Sequence, residues 1–480
     1  MQQWRKAASG GETTLSGTDD FATSLSYVVG AEQVFINGVL LERGVDYTAS
    51  TGTSITGLTA LVASDIATVI SHNSFNIANA IQSTQIAAKG DLIVGTGSGT
   101  YTNQGVGADG TTLVANSSAS TGVSWAGNIA AGKNRIINGD MRIDQRFNGA
   151  SSLLSSGALF QYTIDRWDTN FGVASKLTVG RNLGSVTPPP GFQYYLGHTV
   201  TNAYTPTGST GFSLAQYIEQ DYISDIAFGT SSAKTLTLSF WVYGSVTGNY
   251  GISLTNNAFN RSYVTTYNIS QANTWQYKTI TIAGDTSGTW ALSGNATGLA
   301  LTFDLGIGST YQTSTTNAWQ SGYYQTTSSA VSLVSNASAN LYITGVQLEV
   351  GAAATPFSRA GGTLQGELAA CQRYYWRNSA SASYSPLTGV GVFDTTTDFR
   401  CTIPFPVTMR TNPAYSSSAA SSMAASGTGL LAASATGLKD SSTPNNANIY
   451  FTVSGATAGQ AAVLYSNNSS SAYLEFSAEL

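Results

Sequence analysis

The sequence predicts an all-β chain made of several domains in line. Three observations carry that prediction. Only 9% of the 480 residues are Asp, Glu, Lys or Arg, the residues that helical surfaces favour. Tyr (25) outnumbers Phe (18) and Gly reaches 51, a composition of strands and turns. Short β-branched and aromatic runs recur with turn signals between them, the spacing of a β-sandwich or jelly roll. A length of 480 residues fits roughly three or four domains at ~100–200 residues each.

Residues 1–80 read as a small β domain. EQVFINGVLLERGVDYTAS (32–50) alternates around Asn37-Gly38, a strong hairpin signal. SDIATVISHNSF (64–75) reads as a further strand with His72 near its end. Residues 81–130 change character to Gly, Ser, Thr and Ala. Their apolar islands, Leu92-Ile93-Val94, Leu113-Val114 and Val123–Trp125, are too short to bury themselves. We read this stretch as a spacer gripped by other copies of the chain. No amphipathic helix follows its G-x-G-x-x-G (Gly105, Gly107, Gly110) and no βαβ unit surrounds it, so turn glycines are the better reading.

Residues 131–360 form the largest block, a predicted jelly roll. YTIDRWDT (162–169), TLTLSFWVYG (235–244), NYGISLTN (249–256), RSYVTTYNIS (261–270), TWQYKTITIAG (274–284), GLALTFDLG (298–306) and LYITGVQLEVG (341–351) are its strands. In the second of these, Leu236, Leu238, Phe240 and Val242 share one face, and Trp241 and Tyr243 share the other. Residues 361–480 read as a last β domain. GELAACQRYYWR (366–377) starts as a helical turn or two and runs on as a strand. AYLEFSAEL (472–480) alternates Leu474, Phe476, Ala478 and Leu480 on one side.

The jelly roll opens with KNRIINGDMRIDQRFNGAS (133–151), where a charge-poor chain concentrates its ions. Read as a first strand, it puts Met141, Ile143 and Phe147 on one side and Arg142, Asp144 and Arg146 on the other. The charged row is then positioned for cross-strand pairs with Asp165 and Arg166. A glycan-cutting pair of carboxylates is the competing reading of Asp140, Asp144, Asp165 and Asp168. Each has an arginine close in sequence, and a neighbouring guanidinium lowers a carboxyl pKa where a general acid needs it raised. Structural ion pairing is therefore preferred.

Other chemistry is poorly supplied. The chain has no Walker loop, no G-x-S-x-G, no H-E-x-x-H and no Cys/His zinc spacing; no metal or cofactor is expected, and the chain is read as no enzyme. His72 and His198 fall in different predicted domains. Cys371 and Cys401 are expected as buried free thiols. A net charge of −5 without a basic stripe argues against nucleic acid. The stretch MQQWRKAASGGETT (1–14) has no apolar core of the kind a signal peptide needs, and no run of ~18 apolar residues indicates a membrane span. Low surface charge fits an intimate oligomer.

Aromatic residues are the better functional currency, because sugar rings pack their C–H faces on aromatic planes while polar groups hold the hydroxyls. Tyr263, Tyr267, Trp275 and Tyr277 are expected in the core. Trp241 and Tyr243, opposite an aliphatic face, and Trp319, Tyr323 and Tyr324, in the polar loop QTSTTNAWQSGYYQTTSS, are candidates for carbohydrate or subunit contact. Tyr374, Tyr375 and Trp376 form a tip patch or, preferably, the hinge that docks the last domain.

Several of these stretches together resemble tail fibres and related virion proteins of tailed bacteriophages: NRIINGDMRIDQR (134–146), YTIDRW (162–167), LSFWVYG (238–244), YITGVQLEVGAAATPFSR (342–359) and ELAACQRYYW (367–376). EQVFINGVLLERGVDYTAS and IQSTQIAAKGDLIVG (81–95) resemble fibre-like proteins of marine and cyanobacterial phages. The resemblance implies a virion component, usually a homotrimer, assembled in the host cytoplasm. Its N-terminal part attaches to other tail or baseplate proteins, and its outer domains, commonly like carbohydrate-binding jelly rolls, face the host. It implies no catalytic residue. The expected architecture is thus an elongated fibre: anchor 1–80, spacer 81–130, jelly roll 131–360 and tip 361–480. The expected activity is adsorption to a host-surface glycan. A purely structural decoration fibre and a glycan-degrading tailspike are the alternatives.

Overall fold

The computed structural model describes residues 1–72, 83–107, 111–126, 132–154 and 160–480. The end of the predicted strand 64–75 and Gly110 of the glycine motif lie outside them. The chain is all-β apart from the α-helix Leu364–Gln372 and short 3-10 turns among the described residues. It forms two compact units, Met1–Ile93 and Val94–Leu480.

In the first unit, the sheet order is Gln2–Ala7, Ile66–Ser71, Glu32–Ile36, Val39–Leu40. The hairpin at Asn37-Gly38 forms because both residues take positive φ, 51° and 82°, as a two-residue type I′ turn requires. Trp4, Val34, Tyr47, Ile55 and Val69 make its core, and the Trp4 indole donates to the Gly17 carbonyl at 3.1 Å.

The second unit begins with short hairpins. The islands Leu113-Val114 and Val123–Trp125 become the paired strands Thr112–Ala115 and Val123–Ala126. Gly107 lies under the Trp125 ring, where a Cβ would come within 2.5 Å. Its lack of a side chain serves that close approach.

A sandwich of two antiparallel sheets follows. One has six strands, in the order Ser152–Leu153, Leu177–Arg181, Leu196–Val200, Asn340–Val350, Leu236–Gly244, Gln276–Ile282. The other has seven: Phe160–Ile164, Trp167–Phe171, Gly211–Glu219, Thr297–Ile307, Gly248–Asn256, Arg261–Ile269, Trp319–Ser321. Their inner faces share one core that includes Leu238, Phe240, Leu254, Phe303 and Ile343. Phe240 meets Phe303 and Tyr267 edge-on, with ring centroids 5.1 and 5.0 Å apart. Each such side chain contributes ~1.5–3 kcal/mol by burial. The strands Leu177–Arg181, Leu196–Val200 and Gly211–Glu219 have no counterpart in the sequence reading, because glycines and buried polar residues (His198, Gln216) break their alternation.

The charged stretch corrects the sequence reading most. Residues 139–147 form turns, with no strand. Asn138 and Met141 have φ of 59° and 57°. The Asn138 side chain closes the loop, donating to the Ile143 carbonyl at 2.7 Å and accepting from the Ile143 N–H at 2.8 Å. Met141 thereby enters the main core with Ile136. Ile143 and Ile137 turn instead to Cys371 and Tyr374.

The last part packs a seven-stranded sheet, Leu430–Ala432, Met423–Ser426, Ala461–Ser466, Pro386–Phe393, Asp398–Pro404, Asn446–Thr452, Ala435–Leu438, against a three-stranded one, Tyr375–Ser379, Tyr473–Ser477, Ala414–Ser417. Phe399, Phe451, Leu464, Leu474 and Phe476 fill the space between. Both cysteines are buried free thiols.

Candidate functional site

The strand Leu236–Gly244 sends Leu236, Leu238, Phe240 and Val242 into the core and therefore Trp241 and Tyr243 to the outer face of the six-stranded sheet. Trp241 pairs with Tyr277 on one neighbouring strand and with Thr344 on the other. The Trp241 and Tyr277 rings lie 5.3 Å apart. Tyr243 stacks on Tyr342 at 5.3 Å and 10°, and Tyr342 on Tyr195 at 4.9 Å. Trp275 sits 5.5 Å from both Tyr243 and Tyr195, its indole donating to the Thr187 carbonyl at 2.8 Å. An aromatic shelf thus runs across three strands, closed at one end by the buried Tyr195 and Tyr342 and open at the other.

The open end is a shallow cleft of about 220 Å³ walled by Phe192, Trp241, Tyr277, Pro356 and Phe357, with Ser239 and Gly345 on its floor. A register shift between Ser239 and Trp241 marks a bulge here. Gly345, in the opposing strand, has φ 64°, and a Cβ on it would meet the Phe192 ring at 2.6 Å. Any side chain there would fill the cleft. Tyr277 is 45% exposed, and Ser239 lines the cleft with it. The cleft offers apolar planes, the hydroxyls of Tyr277 and Ser239 and no charged lining residue, a chemistry that suits the C–H face of a sugar ring.

The expectation of a core role holds for Tyr263 and Tyr267, which are buried among the sandwich side chains. It fails for Trp275 and Tyr277, whose strand points its odd-numbered residues outward. Phe192, Gly345 and Phe357 are shelf residues that the sequence reading missed.

The other aromatic candidates lie elsewhere. Trp319 wedges between Phe228, Trp290 and Tyr263, at 5.4, 5.2 and 5.5 Å, and its indole donates to the Ala283 carbonyl at 2.7 Å. It is a plug at the sandwich edge. Tyr323 packs on Phe259 and Tyr311, accepts from Gln325 at 2.7 Å, and burial pushes its phenol up to about 12. Tyr324 lies against Gly322. These three are separate from the shelf.

Tyr374, Tyr375 and Trp376 are spent on internal packing. Tyr374 and Tyr375 are buried, the Tyr374 hydroxyl and Arg373 both bind Glu219 of the sandwich, and Trp376 stacks on Phe476.

The ionic residues are paired, mostly with partners other than those expected. Neither Arg142 nor Arg146 bridges Asp165. Arg146 binds Glu479 at 2.7 Å, and Arg166 binds the other oxygen of the same carboxylate. Asp165 accepts from the Gln145 backbone and side chain, both at 2.6 Å. Asp144 accepts from the N–H groups of Phe147 and Gly149 and lies 3.8 Å from Arg181. Asp140 holds Arg359 through two N–H groups at 2.9 and 2.6 Å. The Arg142 guanidinium lies 5.9 Å from the Tyr194 ring centre. The predicted lowering of the carboxyl pKa values is also corrected: burial raises Asp165 to about 6 and Asp168 to about 7, outweighing the arginines. Both side chains are 1% exposed, so neither carboxyl faces a substrate. Among the described residues no three His, Cys, Asp or Glu side chains gather as metal ligands, and no helix is long and apolar enough to cross a membrane.

No protein-family model matches the chain, and no curated protein sequence does either. Solved structures similar to it include the enzymatically active domain of tailspike protein 4 of bacteriophage CBA120, 13% identical, covering 45% of this chain and 21% of that one, with a TM-score of 0.23. A protein of Bacteroides thetaiotaomicron described as sugar-binding is 13% identical over 45% of this chain and 99% of that one, TM-score 0.24. The family 11 carbohydrate-binding module of a Clostridium thermocellum cellulosomal cellulase is 15% identical over 43% and 98%, TM-score 0.21. The chain spans about a fifth of the tailspike domain's length. None of these likenesses bears on what this chain binds.

Proposed function

We propose that the chain is a phage virion fibre that adsorbs to a host-surface glycan, with the Trp241–Tyr277 cleft as its sugar platform. The observation that carries the reading is the outward aromatic shelf, whose open end keeps Tyr277 exposed above an uncharged cleft. The resemblance of 134–146, 238–244, 342–359 and 367–376 to tail fibres supports the virion setting. In that setting residues 1–80 attach to tail or baseplate proteins and three copies assemble through the low-charge surface. A shallow cleft gives weak binding per copy; several copies per particle raise it through effective concentration. Adsorption needs no bond cleavage, and the chain acts as a binder, with no enzymatic step.

The test is competition. Purified protein added to host cells should block adsorption of the phage, and the double variant Trp241→Ala/Tyr277→Ala should lose that effect while melting as the parent does. Failure of the parent protein to bind cells or block adsorption would favour a purely structural decoration.

A further inference from the structure

Outside the cleft lies a buried cluster that the adsorption reading does not use. Gln347 and Glu349 point to the outer face of the strand Asn340–Val350, where the segment 351–358 folds back over them. Lys133, Gln347, Glu349 and Thr355 are 7, 0, 1 and 3% exposed. The Thr355 hydroxyl donates to Glu349 Oε2 at 2.6 Å. The Gln347 amide nitrogen donates to Glu349 Oε1 at 2.8 Å, and the same nitrogen lies 3.4 Å from Thr355 Oγ1. The Gln347 carbonyl oxygen accepts the Ser358 backbone N–H at 2.8 Å. The Lys133 ammonium touches Thr355 Oγ1 and sits 3.8 Å from Glu349 Oε2.

These are the parts of an acyl transfer. A hydroxyl next to a base is an activated nucleophile; an N–H on the carbonyl oxygen is an oxyanion donor; fixed contact removes the entropy cost of bringing them together. We infer that Thr355 and Gln347 join in an intramolecular ester, formed by the chain itself with release of ammonia. Thr355 Oγ1 attacks Gln347 Cδ, and its proton passes to Glu349. The Ser358 N–H, already on the Gln347 carbonyl oxygen, stabilises the negative charge that develops there. The Cδ–Nε2 bond then breaks, Glu349 returns the proton to the departing nitrogen, and ammonia leaves. Atoms balance without an oxidant or a co-reactant. Exclusion of water from the cluster protects the ester from hydrolysis. The link pins Pro356 and Phe357, the far wall of the aromatic cleft, to the last strand of the sandwich.

The decisive measurement is the mass of the purified, denatured full-length protein. It should be lower than the sequence mass by one ammonia. After cleavage at Glu349 by a glutamyl endopeptidase, the pieces carrying Gln347 and Thr355 should remain joined until mild alkali separates them. Thr355→Val and Glu349→Gln should restore the full mass, and Thr355→Ser should lose ammonia again. A parent protein at its full sequence mass overturns the inference whether or not any variant folds. So does a linkage mapped to Lys133 in place of Thr355.

Discussion

Arg146 binds Glu479 at 2.7 Å while its guanidinium lies 3.6 Å from the centre of the Tyr375 ring. Arg166 repeats the arrangement with the other oxygen of Glu479 and the ring of Tyr374. Two cations of the sandwich are thus each held between an anion and an aromatic face of the C-terminal part. Removing Glu479 leaves two buried guanidinium groups uncompensated, which costs about 3–5 kcal/mol for a buried pair. Glu479→Ala should lower the stability of this junction by that order, read by denaturant unfolding. An unchanged midpoint would show that the rings alone hold the arginines.

Asp304 gives the chain a pH dependence of defined sign. Burial raises its carboxyl from 3.8 to about 7, so the folded state holds a proton that the unfolded state releases. Its contribution is fully present below pH ~3.8 and is lost as pH rises through about 7. Burial lowers His198 to about 3; that contribution is present above pH ~6.5 and is lost as pH falls toward 3. Between pH 6.5 and 8 only the carboxyl effect operates, so unfolding free energy should fall with rising pH. Asp304→Asn should reduce that slope, the remainder belonging to Asp168, also raised to about 7, and an unchanged slope would show that Asp304 does not contribute to it.

Trp319 should behave as a structural residue. Its ring closes the cluster of Phe228, Trp290 and Tyr263, and truncating a packed Trp costs about 3 kcal/mol or more. Trp319→Ala should lower the melting temperature with no separate loss of cell binding at a temperature where it remains folded. Loss of binding without loss of stability would restore it to the ligand site.

Much of this fold is legible in the sequence because alternation and turn residues are local. The hairpin at Asn37-Gly38 follows from its turn residues, the strands from Leu236 to Ile307 from β-branched and aromatic runs between turn signals, and Leu474, Phe476 and Ala478 from alternation. The outward direction of Trp241 and Tyr243 follows in the same way. Tyr277 was equally readable, since Ile280 and Ile282 mark the even-numbered face of its strand. The stretch 133–151 was not. Its inward residues are placed by left-handed turns at Asn138 and Met141, and its Arg146 finds Glu479 more than three hundred residues away. Of its three arginines only Arg146 makes that contact, Arg135 pairing with Asp225 and Arg142 lying by the Tyr194 ring, and none of this leaves a periodic signal. Phe192 and Phe357 likewise reach the cleft only through long-range folding of loops.

The central claim is that the Trp241–Tyr277 cleft binds the host glycan, and it is tested most directly by adsorption competition. Parent protein should block phage adsorption in a dose-dependent way. Trp241→Ala/Tyr277→Ala should need at least about tenfold more protein for the same block, as expected from the loss of ~1.4 kcal/mol or more of contact. Its melting curve should match the parent's. Equal blocking by a folded double variant would contradict the account.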